Sequence, residues 1–349
     1  MVRCLTTEEV RECLDMRDAI DVLERAYRAE AEGRAVNIPR SDMILPLGTD
    51  EAYVFKVMPG AIEDLNVAAI RMQSDRIRWT EERKTKLGVA RDEQYAQHVL
   101  VYDTEVCEPI LLFPDGFVSK MRVGATNALG AKYMAPRDVA TIGLLGAGRQ
   151  AGGQVWGFDT VFDLDEIRVY SPTPESRESF VEEWNPRLAA DLVAVDSAET
   201  AVAGADVRAA ATNSMQPVFE TDLIEPGMHV SAIKNPEVPE DAFEAVDRVA
   251  VHTHDAPEGP HNYTPRGSTF QERLDDAWGF ETDLTAFPAL ADLVAGEPGR
   301  EQEDETTLFL NNNGAGIQWA ACGRHVHDRA ADLGLGEEID TQLFLQSVW

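Results

Sequence analysis

Apolar positions along this chain recur with two periods. Met16–Glu32 places Ile20, Leu23, Ala26 and Tyr27 on one face at helical spacing, which predicts an amphipathic helix. Ahead of it, Thr6-Thr7-Glu8-Glu9 has the form of a capping box opening a short helix. Tyr53–Met58 and Val67–Met72 read as strands, and His98–Asp103 with Pro109–Leu112 as a hairpin pair. Gln73–Gln94 is polar and charged, and is expected to form a long loop. Ser119–Met134, rich in Ala and Gly, predicts a small-residue helix. Asp255–Gly267, rich in Pro, Gly and His, reads as a loop. The tail from Thr306 starts as a strand or turn and continues as a helix from Ile317 to about Leu333. There is no internal repeat.

The middle of the chain carries the sharpest chemistry. In Thr141–Gln154 the apolar run Ile142, Leu144, Leu145 feeds directly into Gly146-x-Gly148-x-x-Ala151. A buried strand that turns so abruptly into a helix presents bare backbone N–H groups to a pyrophosphate. Gly146 permits the turn, Gly148 lets phosphates approach, and Ala151 keeps the helix close to the sheet. Glu166–Thr173, Val193–Val195 and Ala205–Ser214 supply further strands, as a doubly wound parallel sheet requires. The chain therefore reads as a dinucleotide-binding α/β protein, with hydride transfer as its chemistry. Gly146, Ala147, Gly148, Arg149 and Gln150 are the pyrophosphate candidates; Thr212, Asn213 and Ser214 are expected on the nicotinamide or ribose side. Where an NAD site usually places Asp or Glu after the second strand, this chain has Ser171, Thr173 and Arg177, and its first acid, Glu175, comes late. Those residues and Arg149 favour a 2′-phosphate, so NADP(H) is the preferred cofactor and NAD(H) a possible one.

Composition narrows the setting. The 349 residues suffice for two domains, and 44% hydrophobic content supplies their cores. The N-terminus carries charges of both signs, unlike a signal peptide, and no apolar run approaches the roughly 18 residues of a membrane span. A soluble cytoplasmic protein is expected. Acidic residues outnumber basic ones 62 to 31, for a net charge of −31. Such a field disfavours nucleic acid and anionic lipid as partners. The only lysines are Lys56, Lys84, Lys86, Lys120, Lys132 and Lys234. An acidic, lysine-poor surface suits a salt-filled cytoplasm, and predicts loss of structure at low ionic strength. Cys4, Cys13, Cys107 and Cys322 have no metal-ligand spacing, and His252-x-His254 lacks a third ligand, so no metal is expected.

The chain resembles the ornithine cyclodeaminase/mu-crystallin family. The matching segments are Asn37–Arg40, Phe55–Pro59, Met121–Tyr133, Gly143–Ala151, Pro226–Ile233, Leu290–Gly299 with Glu303–Phe309, and Gly314–Gln318. The resemblance implies a Rossmann domain (residues 138–305) inserted into an α+β substrate and dimerisation domain built from both termini (1–137 and 306–349), in a homodimer. It implies NAD(P)-dependent chemistry on a small amino or imino acid: ketimine reduction, amino-acid dehydrogenation or cyclodeamination. Mu-crystallin-like members imply a non-catalytic dinucleotide-binding alternative. Arg40, Lys56, Arg71 and Arg122 match the positions that hold the substrate carboxylate, with Arg71 where the family usually has lysine. An arginine fork pairs both carboxylate oxygens at once. The alternative for each cation is a structural salt bridge with a buried acid.

Ile233, closing the matched strand, is expected beside the cofactor. Just after it the family's cyclodeaminases and alanine dehydrogenases place an aspartate; this chain reads Lys234-Asn235-Pro236-Glu237. Asparagine cannot take up a proton as a carboxylate does, which argues against ornithine cyclisation. Lys234 is the candidate proton carrier if burial lowers its pKa; an exposed turn lysine is the alternative. Trp319 stands where the family often has an acid. The charged Gln73–Gln94 segment is expected either to cover the substrate or to be solvated decoration.

Overall fold

The computed structural model describes residues 1–80, 83–88, 94–255, 261–265, 270 and 281–346. Two sheets organise them. The first has ten strands, its main path running His261–Tyr263, Ser41–Pro46, Glu51–Ile62, Val67–Trp79, Ala96–Asp103, Glu108–Pro114, Val2–Cys4, Glu337–Ile339. Ala35–Asn37 also pairs with Glu51–Ile62, and Lys84–Leu87 with Val67–Trp79. The second sheet has seven parallel strands, in the order Asp191–Ala194, Glu166–Tyr170, Thr141–Leu145, Val207–Ala210, His229–Ala232, Thr307–Leu310, Arg248–Val251. Strand order reverses on either side of Thr141–Leu145, the switch point at which open α/β sheets bind ligands.

Most predicted elements are present. The short helix Thr7–Cys13 opens with the capping box of Thr6 and Glu9, and Met16–Ala31 and Gly316–Leu333 form the two amphipathic helices. The small-residue helix runs Gly116–Met134 and is buried nearly all round. It needs no polar face, because it lies against Met16–Ala31 on one side and against strands His229–Ala232 and Thr307–Leu310 on the other. Its glycines set the spacing. A Cβ at Gly124 would run into the Gly153 carbonyl, and one at Gly153 into the Lys120 carbonyl. The small-residue helix therefore crosses the helix of the phosphate turn, Arg149–Val161, at backbone contact.

The Gln73–Gln94 segment corrects the expected loop. Val67–Trp79 is one continuous strand with alternating burial, and Lys84–Leu87 is a strand paired antiparallel to it. The alternation was concealed because Gln73 and Asp75 face inward, where polar residues are seldom found. Residues 81–82 and 89–93 of that segment lie outside the described residues. Within the expected Asp255–Gly267 loop, His261–Tyr263 is a strand parallel to Ser41–Pro46; residues 256–260 and 266–267 lie outside the description. Thr307–Leu310 pairs within the seven-stranded sheet, past the boundary expected at 305, before the chain leaves for the C-terminal helix.

The ten-stranded sheet turns one face inward. By register Ala52, Val54, Lys56, Met58 and Ile62 share that face with Val67, Ala69, Arg71, Gln73, Asp75 and Ile77. At one end, Met58, Ile62, Val67, Ala69, Val99 and Val101 join the core beneath the helices. At the other, Ile44, Val54, Ile77 and Trp79 form a smaller apolar cluster. Between the two lies a charged stripe.

Candidate functional site

At the carboxyl edge of the seven-stranded sheet a cavity of about 750 Å³ opens over the phosphate turn. Gly146 sits at φ +113°, and a Cβ there would strike the Ala211 carbonyl, so this turn requires glycine. Gly148 is the N-cap of Arg149–Val161, and no side chain caps the helix. Its first-turn N–H groups are thus left for an anion. Gly146, Ala147, Gly148, Arg149 and Gln150 all line the cavity, as do Ser171, Thr173, Thr212, Asn213 and Ser214. These residues fit a nicotinamide dinucleotide, with its pyrophosphate on the uncapped turn.

Two cofactor candidates lie elsewhere. Arg177 is buried behind the Ser171 turn; its guanidinium donates to the Ser171 carbonyl at 3.0 Å and pairs with the exposed Asp196. It props the turn and is absent from the cavity wall, a role that depends on Asp196, whose proximity local sequence did not reveal. Ile233 is likewise off the wall, and its N–H donates to Glu237 Oε2 at 3.1 Å. In their place the structure adds Arg83, which lines the cavity and bridges antiparallel to Ser214.

Lys234 is half-buried, and its Nζ donates to the Ser214 carbonyl. Burial lowers its pKa, against the opposing charge of Glu237. It is held in place, unlike an exposed turn lysine. Glu237, to which the sequence reading gave no role, is fully buried; it accepts hydrogen bonds from the Thr212 hydroxyl at 2.8 Å and from the Thr212 and Ile233 N–H groups. Burial raises its pKa while these donors and Lys234 pull the other way. It fixes the Thr212–Ser214 edge of the cavity. The only signal for this was one acid in a proline turn.

The charged stripe gathers the four substrate candidates. Arg40 pairs with Asp42 through two bonds of 2.8 and 2.7 Å. Lys56 reaches Asp75 at 3.4 Å, and Lys86 reaches the same carboxylate at 3.0 Å. Arg71 Nε contacts Asp115 at 2.5 Å. Three of the four therefore have the acidic partner that a structural role would require. Arg122 does not: its Nη1 donates to Gln318 Oε1 at 3.0 Å, its Nε has no partner, and it makes no ion pair among the described residues. Burial, with the Arg71 charge beside it, pushes Arg122 down to about 9, so at neutral pH it remains cationic. Trp319 lies between the two, its ring 4.7 Å from the Arg71 guanidinium and 5.2 Å from that of Arg122. An acid there would have neutralised them; the indole supports both charges without consuming either.

Gln318 orients Arg122 through a buried network. Its Nε2 donates to Tyr27 Oη at 2.9 Å and Thr126 Oγ1 at 2.8 Å, and Tyr27 Oη meets His252 Nε2 at 2.8 Å. Burial drives His252 to about 3, so it is neutral. His254 instead contacts the Phe287 carbonyl at 2.7 Å, so the His252-x-His254 pair diverges. Arg122 also packs on Gly314, in the loop leaving Thr307–Leu310 at the cavity's edge of the sheet.

Comparison with known proteins bears on the fold and the family. The model of the ornithine cyclodeaminase/mu-crystallin family matches residues 2–334. A Delta(1)-pyrroline-2-carboxylate reductase of Bacillus cereus is 23% identical, covering 96% of this chain and 99% of its own. The solved Delta(1)-pyrroline-2-carboxylate reductase of Thermococcus litoralis, in complex with NADH and L-proline, superposes with a TM-score of 0.79 at 23% identity, covering 97% of this chain and 100% of its own. An archaeal alanine dehydrogenase dimer with bound NAD gives 0.78 at 21% identity, over 97% and 99%.

Proposed function

The chain belongs to the ornithine cyclodeaminase/mu-crystallin family, and we propose that within it this protein is an NAD(P)H-dependent oxidoreductase of a small amino or imino acid. The observation that carries the reading is Arg122, a buried guanidinium left without an acid among the described residues, against Gly314 in the loop that leaves the carboxyl edge of the dinucleotide sheet. An unpaired charge in such a place is costly unless an anion arrives to meet it. A nicotinamide dinucleotide in the cavity supplies the hydride that, with one proton, converts the C=N of an imino acid to the CH–NH of an amino acid. Arg122 and Arg71 bind the substrate carboxylate, with Lys56 and Arg40 beside them. Lys234 holds the proton at Nζ. Reductase and dehydrogenase names among the relatives support this assignment. Cyclodeamination is the second reading, disfavoured because the buried Asn235 amide cannot accept a proton.

NADP(H) is the preferred cofactor in this proposal, with NAD(H) possible. Ser171 and Thr173 line the cavity with Arg83 and Arg149, and no carboxylate is on its wall among the described residues. NADH or NAD accompanies the two solved relatives, which keeps NAD(H) in contention. We read the protein as a cytoplasmic homodimer with the domain division given above. The dimeric relative and the exposed apolar side chains of Val36, Ile38, Met43 and Leu45 support the assembly. No helix among the described residues is long and apolar enough to cross a membrane.

The test is cofactor oxidation, followed at 340 nm in high salt, with cyclic ketimines and oxo acid/amine pairs. Turnover with at least one of them is expected, with higher kcat/KM for NADPH than NADH. Arg122→Ala should lower kcat/KM about 100-fold, the worth of a buried charge-assisted pair. Tight cofactor binding without turnover of any substrate would instead indicate a mu-crystallin-like binding protein.

A further inference from the structure

The strand Lys84–Leu87 enlarges the charged stripe in a way the four carboxylate-binding positions do not require. Its register sets Lys86 opposite Ile77 and Lys84 opposite Trp79. Residues directly opposite in an antiparallel pair share a face. Both lysines therefore stand on the inner face, with Lys56, Arg71 and Asp75. Lys84 lies with its Nζ 3.8 Å from the centre of the Trp79 ring. Lys86 shares Asp75 with Lys56. Adjoining it, Arg83 bridges to Ser214 on the cofactor wall, so this strand joins the substrate stripe to the nucleotide cavity.

The charge balance does not close with one carboxylate. Setting Lys84 aside, five side chains of formal positive charge (Arg40, Lys56, Arg71, Lys86 and Arg122) face three carboxylates (Asp42, Asp75 and Asp115) among the described residues. One substrate carboxylate would neutralise half of the surplus. Burial and the Lys56 charge push Lys86 down to about 7 against the pull of Asp75, so an anion arriving beside it would favour its charged form. Lysine usage points the same way. The chain holds six lysines, and Lys56, Lys84, Lys86 and Lys234 all stand around this cleft. A protein that has nearly given up lysine keeps it where an anion must be met.

We propose that the substrate carries a second anionic group: that it is a dicarboxylic amino or imino acid, its distal carboxylate bound by Lys86 with Lys84 beside it. This rests on the reading of the protein as an imino-acid oxidoreductase. The two are separable by experiment. Isothermal titration of the NADPH-bound protein, at constant high ionic strength, compares succinate with butyrate, two unreactive acids that differ only in the distal charge. Succinate should bind at least tenfold more tightly. Lys86→Gln should cut that ratio at least fivefold, and Lys86→Arg should restore it, which a folding defect would not do. Equal binding of the two acids, or a ratio unchanged in Lys86→Gln, would overturn the proposal. Turnover is then read with oxaloacetate plus ammonia against pyruvate plus ammonia. Succinate selectivity without any turnover retains the dianion site and defeats the oxidoreductase reading. Turnover confined to pyruvate, with no succinate selectivity, does the reverse.

Discussion

Asp42 and Arg40 stand two residues apart, and burial of the pair makes their interaction sensitive to acid. Burial alone would raise Asp42, but the Arg40 guanidinium outweighs it and holds the carboxyl at about 2. A carboxyl depressed in the folded state stabilises it above the unfolded pKa near 4, and that contribution is lost as pH falls toward 2. The shift corresponds to about 2 kcal/mol. Asp42→Asn should therefore lower the Tm at pH 7, and thermal melts should show a smaller loss between pH 5 and pH 2.5 than in the parent. An unchanged pH 7 melt would remove Asp42 from this role. At this scale the Gly146–Gln150 turn was legible from local pattern, and Arg40, Lys56, Arg71 and Arg122 were singled out by the family resemblance. What was hidden were partners distant in sequence. Asp115, Gln318, Asp196 and Glu237 decide which cation is free and which props a turn, and no local signal announces them.

Elements were legible where periodicity and burial agreed, as in Met16–Ala31 and Thr141–Leu145. Val67–Trp79 was misread because its inner face changes from apolar to charged midway, which makes a strand look like a loop. The charged stripe is thus both the site and the reason that part of the site was missed. The crossing of the small-residue helix over the phosphate-turn helix belongs to this scale. Gly124 is two residues from Arg122, and Gly153 four from Arg149. Gly124→Ala forces the two backbones apart, and overpacking of this kind costs about 1–3 kcal/mol. A Tm lower by roughly 1–4 °C is expected, with weaker NADPH binding by fluorescence titration. Full retention of both would mean that the crossing has slack.

For the whole molecule, charge governs. A net charge of −31 makes compact chains repel themselves. Salt shortens the reach of that repulsion, from about 10 Å at 0.1 M to about 3 Å at 1 M. The Tm should rise by on the order of 10 °C between 0.1 M and 2 M KCl; a flat profile in a salt series of melts would show that the acidic surface does not limit stability. Overall charge and hydrophobic content were legible at a glance. Sheet order was less so, because it depends on returns such as Thr307–Leu310, where a short apolar run gives no indication of which sheet receives it.

The gathering of lysines has a practical side. Reagents that modify amines at neutral pH meet few targets on this chain, and four of its six lysines stand around the cleft. Among them Lys86, pushed down to about 7 by burial, is partly exposed and carries free amine at neutral pH. Coupling the protein to a support or a dye through amines would therefore reach its working surface. A thiol handle avoids this: Cys107 is exposed, in the turn between Ala96–Asp103 and Glu108–Pro114.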